Sequence, residues 1–230
     1  GISKIVWIAG CGCLTLIAAI AAALLVYFYF FGSGDPIAKV VPADSMLYMN
    51  TDLTKTQSER FIEIVNIFQE ISDQKVQPPI EMLNETLKEE LDMNFADNIQ
   101  PWIGKHTAFV VTGGDFQSGD VQIMFIIETR NKGKADEFIV KLTEALDKKQ
   151  SRKFEQSEKE GVTLYTSKGS SPMDDMVITR SGSMIYISNS EAEILRSIKL
   201  PKADSLASFK NYKDTLAALP KNRFSTIYIN

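Results

Sequence analysis

The chain has 230 residues, 44% of them hydrophobic, and a formal net charge of −4. This acidic balance argues against nucleic acid as a partner and against a polybasic grip on anionic lipid. The two cysteines, Cys11 and Cys13, both lie near the N-terminus. The rest of the chain therefore excludes a cysteine-based zinc site and a cysteine nucleophile.

Residues 5–31 form an apolar run without a single charged side chain. A helix of that length spans roughly 40 Å, more than the roughly 30 Å of a bilayer's hydrocarbon core. We therefore predict a transmembrane anchor over residues 1–31, a linker and extended lead-in over 32–45, and an α+β domain over 46–230. Aromatic side chains near both ends suit the two water interfaces. The residues assigned to the membrane are Trp7, Leu14, Leu16, Leu24, Leu25, Tyr27 and Tyr29.

Small residues in the predicted span would permit close approach of a second transmembrane helix. The packing candidates are Gly10, Gly12, Ala18 and Ala22. The alternative is that such residues are merely tolerated in a membrane helix. Cys11 follows Ile-Ala-Gly, as in a lipid-attachment motif, but the main apolar mass lies after this cysteine instead of before it. A retained span is therefore the favoured interpretation.

The charges that flank the span predict its orientation. Lys4 precedes the apolar run, whereas Asp35 follows it. Positive charge collects on the cytoplasmic side of membrane spans. We therefore expect the N-terminus inside and residues 35–230 outside the cytoplasmic membrane.

The first elements after the lead-in are predicted from hydrophobic spacing. Residues 46–50 indicate a short strand. Residues 58–73 carry apolar side chains at helical spacing, and a second helix begins at the proline pair 78–79. Residues 94–104 are predicted as a loop or short turn.

The remaining chain alternates hairpins with helices. Strands are predicted at 106–112, 121–129, 154–157, 162–166, 176–179, 184–188 and 224–229, and helices at 135–149, 191–198 and 208–219. Ser190 is the expected cap of the helix at 191–198. This order predicts an α+β fold with an antiparallel or mixed sheet and helices packed on one face.

Few residues suggest chemistry. His106 is the single histidine, and no metal-ligand spacing surrounds it. Asp174 and Asp175 resemble a site for a hard cation, but a solvated loop is the favoured interpretation. Trp102 either fills the core or offers a partner contact, and the core is favoured. We therefore predict no catalytic residues, no metal and no cofactor.

Two distant stretches echo each other. A proline-led segment enters Tyr48-Met49-Asn50, and a similar one enters Tyr228-Ile229-Asn230. The echo predicts that a second copy of the domain begins at about residue 219, with chance similarity as the alternative.

Ordered motifs over residues 37–230 carry a family resemblance. They include VPADSMLYMNTDL, NIQPWIGKHTAFVV and SLASFKNYKDTLAALP. Together they resemble the bacterial family of unknown function three-three-five-two. The resemblance implies a membrane-anchored, extracytoplasmic protein, and it transfers no activity and no catalytic residue.

These observations lead to a functional expectation. We expect a non-enzymatic, membrane-anchored binding or scaffold protein, an accessory subunit whose partners are other membrane-protein subunits. The alternative is a periplasmic carrier or sensor of a small apolar ligand, because methionines are soft, adaptable cavity linings. Those methionines are Met46, Met49, Met124, Met176 and Met184.

Overall fold

An antiparallel sheet of eight strands organises the computed structural model, which describes residues 35–52, 79–115, 117, 120–219 and 225–230. The predicted anchor and the predicted helix at 58–73 lie outside the described residues. The strands are β1 (Leu47–Asp52), β2 (Ile103–Asp115), β3 (Asp120–Thr129), β4 (Glu155–Lys159), β5 (Val162–Ser167), β6 (Met176–Ser181), β7 (Met184–Ser188) and β8 (Ser225–Ile229). Their order across the sheet is β4-β5-β6-β7-β3-β2-β1-β8.

The described helices are α1 (Pro79–Leu91), α2 (Lys132–Gln150), α3 (Glu191–Ile198) and α4 (Lys210–Ala218). Short helical turns precede β1 or connect the other elements. A π-helical turn covers Phe95–Ile99, and 3-10 turns cover Ile37–Lys39, Pro172–Asp174, Lys202–Asp204 and Leu206–Ser208.

Several secondary-structure elements lie where the local sequence pattern predicted them. Strand β7 and helix α3 have the predicted bounds, and the Ser190 side chain accepts the Glu193 N–H at the start of α3. Helix α1 begins at the predicted proline. One prediction was wrong in detail, because a 3-10 turn opens the lead-in that was expected to be extended. A π-helical turn lies within residues 94–104, the predicted loop or short turn.

Helices cover both faces of the sheet, so the prediction of one covered face was wrong. Ile127 and Ile178 pack with α1 and α2. Their chain neighbours Ile126 and Val177 point the other way and pack with the lead-in, α3 and α4. The reason is visible in β3, where consecutive residues are apolar. A strand that is buried on both faces does not alternate.

Candidate functional site

The segment between the predicted anchor and β1 is tied closely to the domain. Within this lead-in segment, residues 35–46, the side chains of Ile37, Ala38 and Val41 are buried. The Leu206 N–H donates to the Val41 carbonyl at 2.8 Å, and the Ala43 N–H donates to the Asp204 carbonyl at 2.9 Å. The lead-in is therefore held by the C-terminal part of the chain.

A carboxylate and three tyrosines lie where the lead-in begins. The Tyr48 hydroxyl donates to Asp35 Oδ1 at 2.5 Å, and the Tyr212 hydroxyl donates to Asp35 Oδ2. The Ala38 N–H donates to Asp35 Oδ1 at 3.0 Å. Asn50 Nδ2 in turn donates to the Tyr48 hydroxyl at 3.1 Å. We call Asp35, Tyr48, Asn50, Tyr212 and Tyr228 the Asp35 cluster.

The three aromatic rings of the Asp35 cluster pack edge to face. The Tyr212 ring centroid lies 5.9 Å from that of Tyr48 and 5.3 Å from that of Tyr228. Both pairs cross at more than 80°, the arrangement that the ring quadrupole favours. Helix α4 therefore packs against both β1 and β8 through one side chain.

The electrostatics of the Asp35 cluster favour a structural role, in which the two tyrosine hydroxyls hold the Asp35 carboxylate in place. Burial raises the pKa of Tyr48 well above 10, and the negative charge of Asp35 raises it further. The phenol consequently keeps its proton at physiological pH and donates it to the carboxylate. Hydrogen bonds to a charged acceptor are stronger than neutral ones. The arrangement fixes the position of Asp35.

A surface ion pair adds a second tie to the lead-in segment. Arg196 Nη2 of α3 lies 2.6 Å from both carboxylate oxygens of Asp44. The side chains of both partners are at least 40% exposed, and exposed pairs contribute at most about 1 kcal/mol. The Asp35 cluster is therefore the main polar tie of the lead-in.

His106 forms a pair with a carboxylate in the sheet. Its Nδ1 lies 2.7 Å from Glu128 Oε2. The same oxygen accepts the N–H groups of Lys105 and His106 at 3.0 and 3.1 Å. Burial opposes ionisation of Glu128, but the hydrogen bonds from His106 and from the Lys105 N–H outweigh it, so the pKa of Glu128 is lowered. The pair ties β2 to β3 where their register shifts between Ile103 and Thr107.

The two aspartates of the 168–175 loop are engaged by the loop itself. Asp174 Oδ2 accepts the hydroxyls of Ser170 and Ser171 at 2.7 and 2.8 Å. These bonds, that from Ser170 first, lower the pKa of Asp174. Asp175 accepts from Lys168 Nζ at 2.6 Å. Within the described residues, no group of three or more His, Cys, Asp or Glu side chains is placed to hold a metal ion.

Trp102 lies in the core. The indole is 2% exposed, and its ring centroid lies 4.7 Å from that of Phe138 in α2. Its Nε1 donates to the Asn98 carbonyl at 2.7 Å, across the π-helical turn. A side chain so covered offers a partner almost no contact area, and the core interpretation of the sequence fits this position.

The methionines considered for a ligand cavity do not share one side of the sheet. Met176 packs on the face covered by α1 and α2. Met124 and Met184 pack on the opposite face. Met46 is 37% exposed. The sheet therefore separates the side chains that a common cavity would have to bring together.

The predicted membrane and helix-packing residues lie outside the described part of the chain. None of the helices in the described ranges is long and apolar enough to cross a bilayer. The anchor over residues 1–31 stays a prediction, and so do the roles of Gly10, Gly12, Ala18 and Ala22.

Sequence reasoning missed the Asp35 cluster. Asp35 stands in a Gly-Ser-Gly-Asp-Pro stretch that predicts only a chain break, and Tyr212 lies at an ordinary helical position. The one available signal was the Tyr-x-Asn echo, because Tyr48 and Tyr228 are its two tyrosines. The contact between Asp35 and Tyr212 spans 177 positions, a separation that no local pattern encodes.

The chain belongs to the family described as protein of unknown function (DUF3352), whose model matches residues 7–230. Neither the curated proteins nor the solved structures gave a match.

Proposed function

We propose that this member of the DUF3352 family is a non-enzymatic, membrane-anchored scaffold whose α+β domain lies outside the cytoplasmic membrane. In this role it is an accessory subunit of a larger membrane assembly. The single span supplies contacts within the bilayer, and the domain supplies contacts outside it.

The Asp35 cluster is the observation that supports this proposal most. Only residues 32–34 separate Asp35 from the uncharged run at 5–31. Its carboxylate accepts hydrogen bonds from β1 and from α4. A domain that must keep a fixed position relative to its membrane segment needs such a tie directly after the linker. A freely tethered domain would not need it.

The polar groups that first suggested chemistry favour structural roles. Glu128 accepts from two backbone N–H groups as well as from His106. Asp174 accepts from two serines of its own loop. Each carboxylate thus stabilises a local backbone arrangement, which agrees with a protein that works by binding.

Purification in mild detergent followed by mass spectrometry tests the proposal. We expect a membrane protein at a stoichiometric ratio to this chain. Gly12→Leu and Ala18→Leu place bulk where close helix approach is proposed, and should release that protein. Leu24→Ile is the matched control, because it conserves volume and polarity, and should leave the partner bound. Recovery of the parent chain as a lone monomer would contradict the subunit role.

The carrier of a small apolar ligand is the weaker candidate. It requires methionines to converge on one cavity, and the sheet places Met176 on one face and Met124 and Met184 on the other. Co-purification of a stoichiometric lipid or other apolar molecule with the chain would favour the carrier over the scaffold.

A further inference from the structure

The two edges of the sheet differ in how they are protected. Strand β4 carries Glu155, Glu158 and Lys159, charges that discourage pairing with another strand. Strand β8, Ser-Thr-Ile-Tyr-Ile, carries neither charge nor proline. Its Ile227 and Ile229 are 51% and 73% exposed. Uncharged edge strands with exposed branched side chains are suited to receive another strand.

The pairing of β8 with β1 is symmetric about two tyrosines. Tyr48 lies opposite Tyr228, with Leu47 opposite Ile229 and Met49 opposite Ile227. The sequence echo makes Tyr228 the counterpart of Tyr48. It follows that Ile227 is the counterpart of Leu47 and Ile229 that of Met49. A two-fold axis therefore exchanges the flanking pairs, as it does for any antiparallel pairing of two equivalent strands, and this register places the axis at the tyrosine pair.

The backbone directions of β8 agree with the same equivalence. The Asn230 N–H donates to the Met46 carbonyl at 3.1 Å. Alternate residues of an antiparallel strand face the same neighbour. Tyr228 therefore also faces β1, whereas the backbone groups of Ile227 and Ile229 face the outer edge. By the same alternation their counterparts Leu47 and Met49 face β2.

We propose that β8 is the counterpart of β1 in a second copy of this fold within the same polypeptide. The outer edge of β8 then receives an antiparallel strand that is the counterpart of β2. In the first copy, β2 places Val110 opposite Tyr48 and Phe109 opposite Met49. The incoming strand accordingly carries apolar residues opposite Tyr228 and Ile229. One sheet then runs through both copies, with the tyrosine pair at its centre.

This proposal concerns the sheet alone and does not depend on membrane anchoring. It adds to the scaffold role a sheet that continues past β8, whose outer edge pairs with no strand among the described residues. The scaffold could fail its own test while the sheet proposal succeeds, and the reverse also holds.

Amide hydrogen exchange, measured on the full-length natural polypeptide, tests the proposal. We expect the Ile227 and Ile229 amides to exchange within about tenfold of the Leu47 and Met49 amides, because all four are then ladder donors. This protection should not change with protein concentration. Exchange of Ile227 and Ile229 at the rate of an open edge would overturn the proposal. Protection that grows with concentration would also overturn it, by assigning the strand to a separate molecule.

A substitution that keeps the strand foldable sharpens the test. Ile229→Lys adds the charge that protects natural edges and should speed Ile227 exchange at least a hundredfold in the natural polypeptide. Ile229→Thr keeps the β-branch and covers the case in which the lysine variant fails to fold; it should speed exchange less. Glu158→Lys at the β4 edge is the matched control and should leave the β8 amides unchanged. If Ile227 exchange is the same in parent and both Ile229 variants, β8 has no outer strand.

Discussion

Tyr212 of α4 donates its hydroxyl hydrogen to the carboxylate of Asp35, 177 positions earlier in the chain. The first residue after the linker is therefore held by the last described helix. The beginning of the domain and this helix are in direct contact. Closing so long a loop costs chain entropy, which buried aromatic packing around the carboxylate offsets. The N-terminal segment is thereby coupled to the C-terminal end of the fold.

Removing the charge of Asp35 should loosen this closure. We expect Asp35→Asn to destabilise the domain by about 2 kcal/mol, because two phenols lose a charged acceptor in a buried place. Urea denaturation of the full chain in detergent, followed by circular dichroism, measures the change. Asp44→Asn, which removes the exposed partner of Arg196, is the control and should cost less than about 1 kcal/mol.

A double-mutant cycle with Tyr212→Phe separates the hydrogen bond from general damage. Coupling between Asp35→Asn and Tyr212→Phe of at least about 0.5 kcal/mol is expected for residues in one network. If the two stability losses simply add, the hydrogen bond between Tyr212 and Asp35 does not contribute to stability.

Truncation of Trp102 should open the core beside α2. We expect Trp102→Ala to cost about 3–5 kcal/mol, since it removes a buried indole and leaves a cavity against Phe138. Thermal unfolding of the two chains side by side provides the measurement. Val140→Ala on the exposed side of α2 should change stability by less than about 0.5 kcal/mol. A loss for Trp102→Ala as small as that of Val140→Ala would disagree with the buried position of the indole.

Gly104 should not tolerate even one added methyl group. A Cβ at this position would lie 2.8 Å from the backbone oxygen of Glu128, closer than real side chains approach. Backbone cannot move aside as a flexible side-chain end can. We expect Gly104→Ala to cost about 1–3 kcal/mol through overpacking, measured by urea denaturation. Gly133→Ala, where the nearest atom would be 3.8 Å away, is the matched control, and an equal effect at both positions would contradict the close approach.

Glu128 should make the domain sensitive to acid. Its folded pKa is lowered from 4.5, so its contribution is present above about pH 4.5 and is lost as the pH falls through the folded pKa. Glu128→Gln should therefore destabilise the domain more at pH 6 than at pH 3. Urea midpoints measured for both chains across pH 3–6 would show the two stabilities converging in acid. Parallel curves over that window would argue against the lowered pKa.

Local elements were predictable because their signals lie within a few residues. The Ser190 cap and the proline at the start of α1 each act through neighbouring atoms. The faces of the sheet were harder to predict. Consecutive apolar residues such as Ile126 and Ile127 indicate a strand that is buried on both faces. Sheets built from hairpins, however, often leave one face exposed to solvent, and the prediction of a single covered face followed that tendency.

The long-range contacts were beyond sequence reasoning for a physical reason. Asp35 and Tyr212, like His106 and Glu128, meet only because strands and helices fold back on each other. The sequence around each of these four residues contains no signal that identifies its partner. Trp102 was weighed between core and surface, and only its contacts with Phe138 of α2 and with Asn98 of the π-helical turn place it in the core.

The central claim is that a membrane anchor holds the described domain outside the cytoplasm. Cys11 and Cys13 in the predicted span are the only cysteines, so one exposed cysteine can report the side directly. Lys148 is exposed on α2. We expect Lys148→Cys in intact spheroplasts to react with a membrane-impermeant maleimide as fully as after permeabilisation, with the parent chain as background. Labelling of Lys148→Cys only after permeabilisation would place the domain in the cytoplasm and contradict the account.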